Sequence, residues 1–262
     1  MPSRKLPVSD LLPFDKPAKA SVKKEGQDQD LLAVEKAIRA ECRKQSKTPA
    51  ELFGKIIRQS LDEAIDGPRT GRWDIDQLEK TEKTYVGTKI EIVARAALNL
   101  KQNSLLDSEI AGHPVDIKWS MRSAWQIPTE AVDQICLIIG TYKNGKKFKV
   151  GLIRCLEDRL NPGKNKDEKR TISEEGRKHI RWLVESGDLE QNFIAALDLK
   201  AREAVMGEKT AHGRVRKFLE LMAGKPFPRS AIETVIHEVK DDWIDVPVGE
   251  IDEYIKELNL GE

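Results

Sequence analysis

An α/β fold with a helical C-terminal region is predicted by three features of this chain. Residues 115–120 alternate in polarity with the period of a strand, and two apolar runs at 135–141 and 148–156 flank an Asn-Gly pair. Helically spaced apolar residues lie on both sides of this β-rich centre. At 262 residues the chain is long enough to bury one large or two small cores.

Residues 1–30 are rich in Pro, Lys and Asp with little apolar periodicity, so a flexible N-terminal arm is expected. A helix over 31–45 follows. A second opens at Thr48, with Pro49 in its first turn and Glu51 completing a capping box, and closes at Gly67-Pro68. Leu52, Ile56, Ile57, Leu61 and Ile65 give it a core-facing stripe. A third helix spans 84–100 and carries Glu91 among apolar neighbours, where a carboxylate requires a partner. Ser108-Glu109-Ile110, a turn at 111–114 and a strand from Val115 to Ser120 read as a hairpin, and the runs around Asn144-Gly145 read as a second one.

The basic, hydrophilic stretch 162–170 reads as a linker separating an α/β core at 31–161 from a helical domain at 171–262. In that domain Thr171 and Glu174 are placed to box a helix over 176–185, with further helices at 189–206 and 213–222. A last helix is capped by Ser230 with Glu233 as its box partner. Ile232, Val235, Ile236 and Val239 form its buried stripe, so Arg229, Ser230, Thr234 and His237 are expected on its outer face, as in the second helix of a helix-turn-helix. The connection of this helix pair is longer than in the simplest such motif.

Chemistry concentrates between Glu91 and Ser120. Strand alternation puts Asp116 and Lys118 on one face of Asp116-Ile117-Lys118, and Val115, Ile117 and Trp119 on the other. Phosphodiester hydrolysis requires a divalent cation held by anionic oxygens, often with a lysine near the attacking water, and Asp116 and Lys118 suit those two tasks. One aspartate supplies too few ligands, which makes Asp107, Glu109 and Glu91 candidates to join it. The triplet itself is unspecific: Asp167-Glu168-Lys169, Asp198-Leu199-Lys200 and Glu238-Val239-Lys240 repeat it in loop or helical patterns, and a salt bridge on a solvated strand face is the plain alternative.

Beyond these patterns, Gly67-Pro68-Arg69-Thr70-Gly71-Arg72-Trp73, Asp76-Gln77-Leu78 and Lys80-Thr81-Glu82-Lys83-Thr84 resemble the NaeI-type (type IIE) restriction endonucleases. So do Val86-Gly87-Thr88 with Glu91-Ile92, Glu109-Ile110-Ala111-Gly112 with Val115-Asp116 and Lys118, and, further on, Glu175-Gly176-Arg177 and His212-Gly213. The resemblance covers about residues 64–242. It implies a restriction-endonuclease-like core of the PD-(D/E)xK kind, with a mixed β-sheet, that binds Mg²⁺ through Glu91, Asp107 and Asp116, with Lys118 as the fourth catalytic residue. It also implies a winged-helix-like helix-turn-helix domain that binds a second DNA copy and activates cleavage, although a short acidic segment stands where the family's longer C-terminal wing follows. Residues 31–161 are then the endonuclease domain, acting on double-stranded DNA as a homodimer, because cutting both strands symmetrically favours two sites about a twofold axis.

Charge is compatible with a DNA partner once it is divided along the chain. Residues 231–262 hold ten acids and two bases, net −8, so residues 1–230 carry +9 of the total of +1. Lys143, Lys146, Lys147, Lys149, Arg154, Lys164, Lys166, Lys169 and Arg170 are expected to form the surface that meets the backbone, and Arg122, Ser123 and Gln126, directly after the Asp116 strand, to reach the groove. The three cysteines have no metal-ligand spacing, and Cys136 and Cys155 read as reduced core thiols. No apolar run is long enough to span a membrane and no signal peptide is evident, so a cytoplasmic protein without membrane contact is expected. Two other readings share these features: a non-catalytic helix-turn-helix DNA-binding protein, and a nicking DNA-repair endonuclease with the same metal site.

Overall fold

In the computed structural model, residues 28–103, 106–143 and 145–237 are described. Helix α1 (Gln29–Lys44) is capped by the Asp28 carboxylate, and α2 (Pro49–Ile65) has the expected Thr48/Glu51 capping box. The single turn α3 (Gly67–Thr70) follows a left-handed residue, Asp66, and α4 (Lys80–Ala97) opens at a Glu79/Glu82 box, four residues ahead of the expected start. The apolar stripes of α1, α2 and α4 form one layer of the core.

A five-stranded mixed sheet is the other layer. Hairpin β1 (Ser108–Ile110) and β2 (His113–Ser120) turns through Ala111 and Gly112, whose φ values of 53° and 81° are both left-handed, as a two-residue primed turn requires. The two-residue strand β3 (Gln126–Ile127) precedes β4 (Ile135–Tyr142) and β5 (Lys147–Arg154); β6 (Arg170–Thr171) pairs with β3, and β7 (Arg181–Asp188) lies at an edge of the main sheet. The main order is β1-β2-β4-β5-β7, with β2 and β4 parallel and the other neighbours antiparallel. Residues Ile135 to Thr141 are all buried, because helices cover one face of β4 and the loops around Trp125, Ile127, Leu160 and Ile172 cover the other.

Several C-terminal expectations are corrected. The helix expected at 176–185 is a single turn, α5 (Glu174–Arg177), capped by Ser173 and followed by β7. The exposed backbone edge of β5 and the strand preference of Trp182 and Val184 outweigh the local capping signal. The main sheet therefore takes in a strand beyond residue 170, and the segment expected to be a linker ends in β6, with Arg170 and Thr171 paired to Ile127 and Gln126 in a separate two-stranded sheet. Helices dominate only from α6 (Phe193–Ala196), and 189–206 is not one helix, since Asn192 caps α6 and Asp198 caps a separate α7 (Leu199–Met206).

Helices α8 (Ala211–Met222) and α9 (Arg229–Ile236) complete a small core around Phe218. The N-cap of α9 is Pro228, not Ser230, and Glu233 accepts from Arg229 at 2.8 Å in place of boxing the cap. Helix α9 packs on α3 through Thr234, buried against Gly67, and His237 lies beside Gly71. Residues 1–27 of the expected arm and the acidic segment at 238–262 lie outside the described residues, whereas Asp28 and Asp30 grip Arg154.

Candidate active site

Helix α4 and the start of the sheet bring the four expected residues together. The Lys118 ammonium lies 2.8 Å from Asp116, 3.4 Å from Asp107 and 3.9 Å from Glu91. Asp116 is the deepest, its side chain 5 % exposed in the middle of β2, while the other three side chains are 21–25 % exposed and open to solvent. Asp107, just before β1, is held by its own strand pair, because its Oδ2 accepts the Ile117 N–H at 2.8 Å and its carbonyl accepts from Arg95 at 3.2 Å. Glu109, the remaining carboxylate candidate, stands opposite Pro114 and forms no ion pair with Lys118.

Three acids around one ammonium set the electrostatics. Burial and the neighbouring Asp107 push the Glu91 carboxyl up to about 7, against the pull of Lys118. Burial likewise pushes Asp116 up to about 6, although Lys118 donates to it. Burial alone would depress Lys118, but Asp116, Asp107 and Glu91 together hold its ammonium well above the ordinary lysine range. Lys118 is therefore a fixed cation in this arrangement. Behind Asp116, the Cys136 thiol sits 3.9 Å from Oδ2 and accepts from Cys155 across 3.1 Å, and all three cysteines are buried free thiols. Nothing in the sequence pointed to Cys136 as a site neighbour; only the Asp116 to Cys136 register of the parallel pair puts it there.

The donors suit a divalent cation in kind and in charge. Three carboxylates provide hard oxygens, and three negative charges against one positive leave a net −2 when all are ionised. Among the described residues, no three Asp, Glu, His or Cys side chains are gathered closely enough to hold an ion as they stand. The Lys118 ammonium lies where their oxygens converge, so an ion would have to displace it toward solvent.

The expected DNA contacts divide into outward and inward groups. Arg122 and Gln126 are exposed, Gln126 accepting from Asn165 at 3.2 Å, but Ser123 is buried over Gly140, its carbonyl accepting from Arg177 at 2.6 Å. On α9, Arg229 and Ser230 face outward. Thr234 is buried, its hydroxyl donating to the Ser230 carbonyl at 2.7 Å, and His237 is turned toward Gly71, so neither presents a contact in the way expected of an outer face. Of the expected basic surface, Lys147 is paired with Asp188, Arg154 with Asp28 and Asp30, Lys164 with Glu168 and Arg170 with Glu157. Those four cations are already neutralised within the chain. No described helix is long and apolar enough to cross a membrane.

The family described as restriction endonuclease NaeI matches residues 38–244, which include all four clustered residues and the sheet that carries them. The Type II restriction enzyme NaeI of Lentzea aerocolonigenes is 34 % identical over 197 residues, which make up 72 % of this chain and 61 % of that enzyme. The matched part thus spans less than two thirds of the relative's length.

Proposed function

Because the chain belongs to the restriction endonuclease NaeI family, we propose that it is a site-specific endonuclease that hydrolyses phosphodiester bonds of double-stranded DNA with Mg²⁺. The observation that carries this reading is the meeting of Glu91, Asp107 and Asp116 around Lys118, from three different elements, a helix, a loop and a strand. Glu91, Asp107 and Asp116 would hold the ion. When bound, Mg²⁺ supplies Lewis acidity for the scissile phosphate and lowers the pKa of water.

The protein's own groups perform the remaining tasks. Asp116, fixed in the middle of β2 between β1 and β4, sets the position of the site, and Asp107, tied to the Ile117 amide, keeps its oxygen aimed at the same point. Lys118, held protonated by its three neighbours, is a positive charge beside the place where negative charge accumulates on the phosphoryl oxygens, and it orients the attacking water by donation. Glu91 is poised near neutrality and takes a proton when the ion is absent.

Two copies of the chain would cut the two strands of a duplex, one site per strand. Activation by a second DNA copy rests on the resemblance alone, since only two of the four contacts expected on α9, Arg229 and Ser230, face outward. Supercoiled plasmid incubated with the purified chain and Mg²⁺ tests the proposal. Discrete linear fragments with reproducible ends are expected. Accumulation of open circles alone would favour a nicking enzyme, and salt-sensitive binding without scission in any divalent ion would favour a non-catalytic binder.

A further inference from the structure

The sheet face that carries Asp116 and Lys118 also carries a second, differently built polar site. Lys149 on β5 sits in register with Gly140 on β4, and Gly140 with Ser120 on β2, so Lys149 lies on the same face as Lys118, two strands across and level with Ser120. Its half-buried ammonium lies near three rings, with centroids 5.7 Å away for Trp125, 5.5 Å for Tyr142 and 5.6 Å for Trp182. The Arg177 guanidinium stacks over the same Trp125 ring at 5.3 Å. Two strand glycines make this floor possible. A Cβ at Gly140 would come within 3.0 Å of Trp125, and one at Gly151 within 2.9 Å of Trp182, so only glycine lets both indoles lie against the sheet.

Two cations thus share one aromatic platform, and among the described residues neither forms an ion pair. This separates them from Lys147, Arg154, Lys164 and Arg170, each of which meets a carboxylate of its own chain. Burial together with the charge of Arg177 depresses the Lys149 ammonium below its ordinary range, so the pair is electrostatically incomplete. An anion bound between them would relieve both the desolvation and the mutual repulsion. Cation–π contacts hold the two charges in place without neutralising them.

We propose that Lys149 and Arg177 hold a non-scissile backbone phosphate of the DNA strand being cut, a role that rests on the endonuclease reading above. Lys149 stands two strand spacings from β2, roughly 10 Å, which is the axial reach of about three nucleotides. The site would set the strand's path toward Lys118 without touching the reacting atoms. Lys149 and Arg177 are therefore positioning residues, and they contribute to binding every sequence alike.

The test is a salt titration of binding to a labelled duplex in Ca²⁺ buffer, with wild type, Lys149→Gln, Arg177→Gln, Lys149→Arg and Lys147→Gln, each checked for wild-type melting. Loss of one phosphate contact lowers the slope of log K against log salt by about 0.9. That loss is expected in both glutamine variants, with KM for cleavage raised and kcat retained, while Lys149→Arg keeps the wild-type slope. Lys147→Gln, whose cation is already paired with Asp188, keeps it as well. Wild-type slopes in folded Lys149→Gln and Arg177→Gln, or an equal loss in Lys147→Gln, would overturn the phosphate site and leave the endonuclease reading standing. A wild-type chain that binds no DNA would overturn both.

Discussion

Lys118 on β2 and Glu91 on α4 approach to 3.9 Å, and they do so because α4 packs its Val86, Ile90, Val93 and Ala94 face into the same core as the apolar side of β2. A carboxylate with a raised pKa therefore lies beside an ammonium held firmly protonated, at the mouth of a cluster of three acids. Site and core share one scaffold, so the charge cluster is as rigid as the packing beneath it.

Removing the ammonium is expected to separate ion binding from chemistry. In Lys118→Ala the three carboxylates no longer share a fixed positive charge, so a divalent ion binds more tightly while cleavage falls by roughly 10²-fold or more, the usual loss for one preorganised cation or donor. Calorimetric titration with Ca²⁺ and single-turnover cleavage with Mg²⁺ measure the two effects. Weaker ion binding in this variant would show that Lys118 supports the ion instead of competing with it.

Stability without metal is expected to fall as pH rises through the site. A carboxyl whose folded pKa is about 7, raised from the ordinary glutamate value, binds its proton more tightly in the folded chain. That contribution is present in acid and is lost as pH climbs from the ordinary value toward 7, on the order of 2 kcal/mol for Glu91. Glu91→Gln is therefore expected to melt roughly 5 °C above wild type at about pH 8 without metal, and to differ little at about pH 5. An equal gain at both pH values would mean that the charge of Glu91 is not the cause.

Much of this arrangement was legible in the sequence, and the reasons are local. The Thr48/Glu51 box, a turn beginning at Ala111 and the alternation from Val115 to Ser120 depend on neighbours within a few residues, so their signals survive without the fold, although His113 and Pro114, expected in the turn, already belong to β2. The site needed more: strand alternation placed Asp116 beside Lys118, but Glu91 and Asp107 were selected over Glu109 only by resemblance. What remained hidden depends on long-range pairing. Residues Arg181–Asp188 become a strand because β5 offers an unpaired edge, and Thr234 turns inward because Gly67 leaves a place for it. Lys149 looked like one basic residue among nine until Trp125 and Trp182 were placed beside it.

The thiol behind Asp116 is expected to tune it. Cys136→Ser replaces a weak donor 3.9 Å from Oδ2 with a stronger one, and donation to a carboxylate favours its ionised form. The acid limb of the pH–rate profile should shift to lower pH in Cys136→Ser, and should not shift in that direction in Cys136→Ala. Coincident profiles for all three proteins would show that the thiol is only filling space.

The docking of the C-terminal helices is expected to depend on one missing side chain. A Cβ at Gly67 would meet Thr234 Oγ1 at 2.5 Å and the Arg72 carbonyl at 2.8 Å, so Gly67→Ala forces α3 and α9 apart at a cost of about 1–3 kcal/mol. Hydrogen exchange should then quicken across Arg229–Ile236 and remain slow in the main sheet. Unchanged exchange over α9 would mean that the contact with α3 contributes little.

The central claim is that Asp116, Asp107, Glu91 and Lys118 form one hydrolytic centre, and Asp116→Asn tests it most directly because it keeps side-chain volume and removes a single buried charge. Linearisation of plasmid DNA in Mg²⁺ should disappear in this variant while its cooperative folding and its salt-dependent DNA binding remain. A folded Asp116→Asn protein that cuts at the wild-type rate would contradict the assignment.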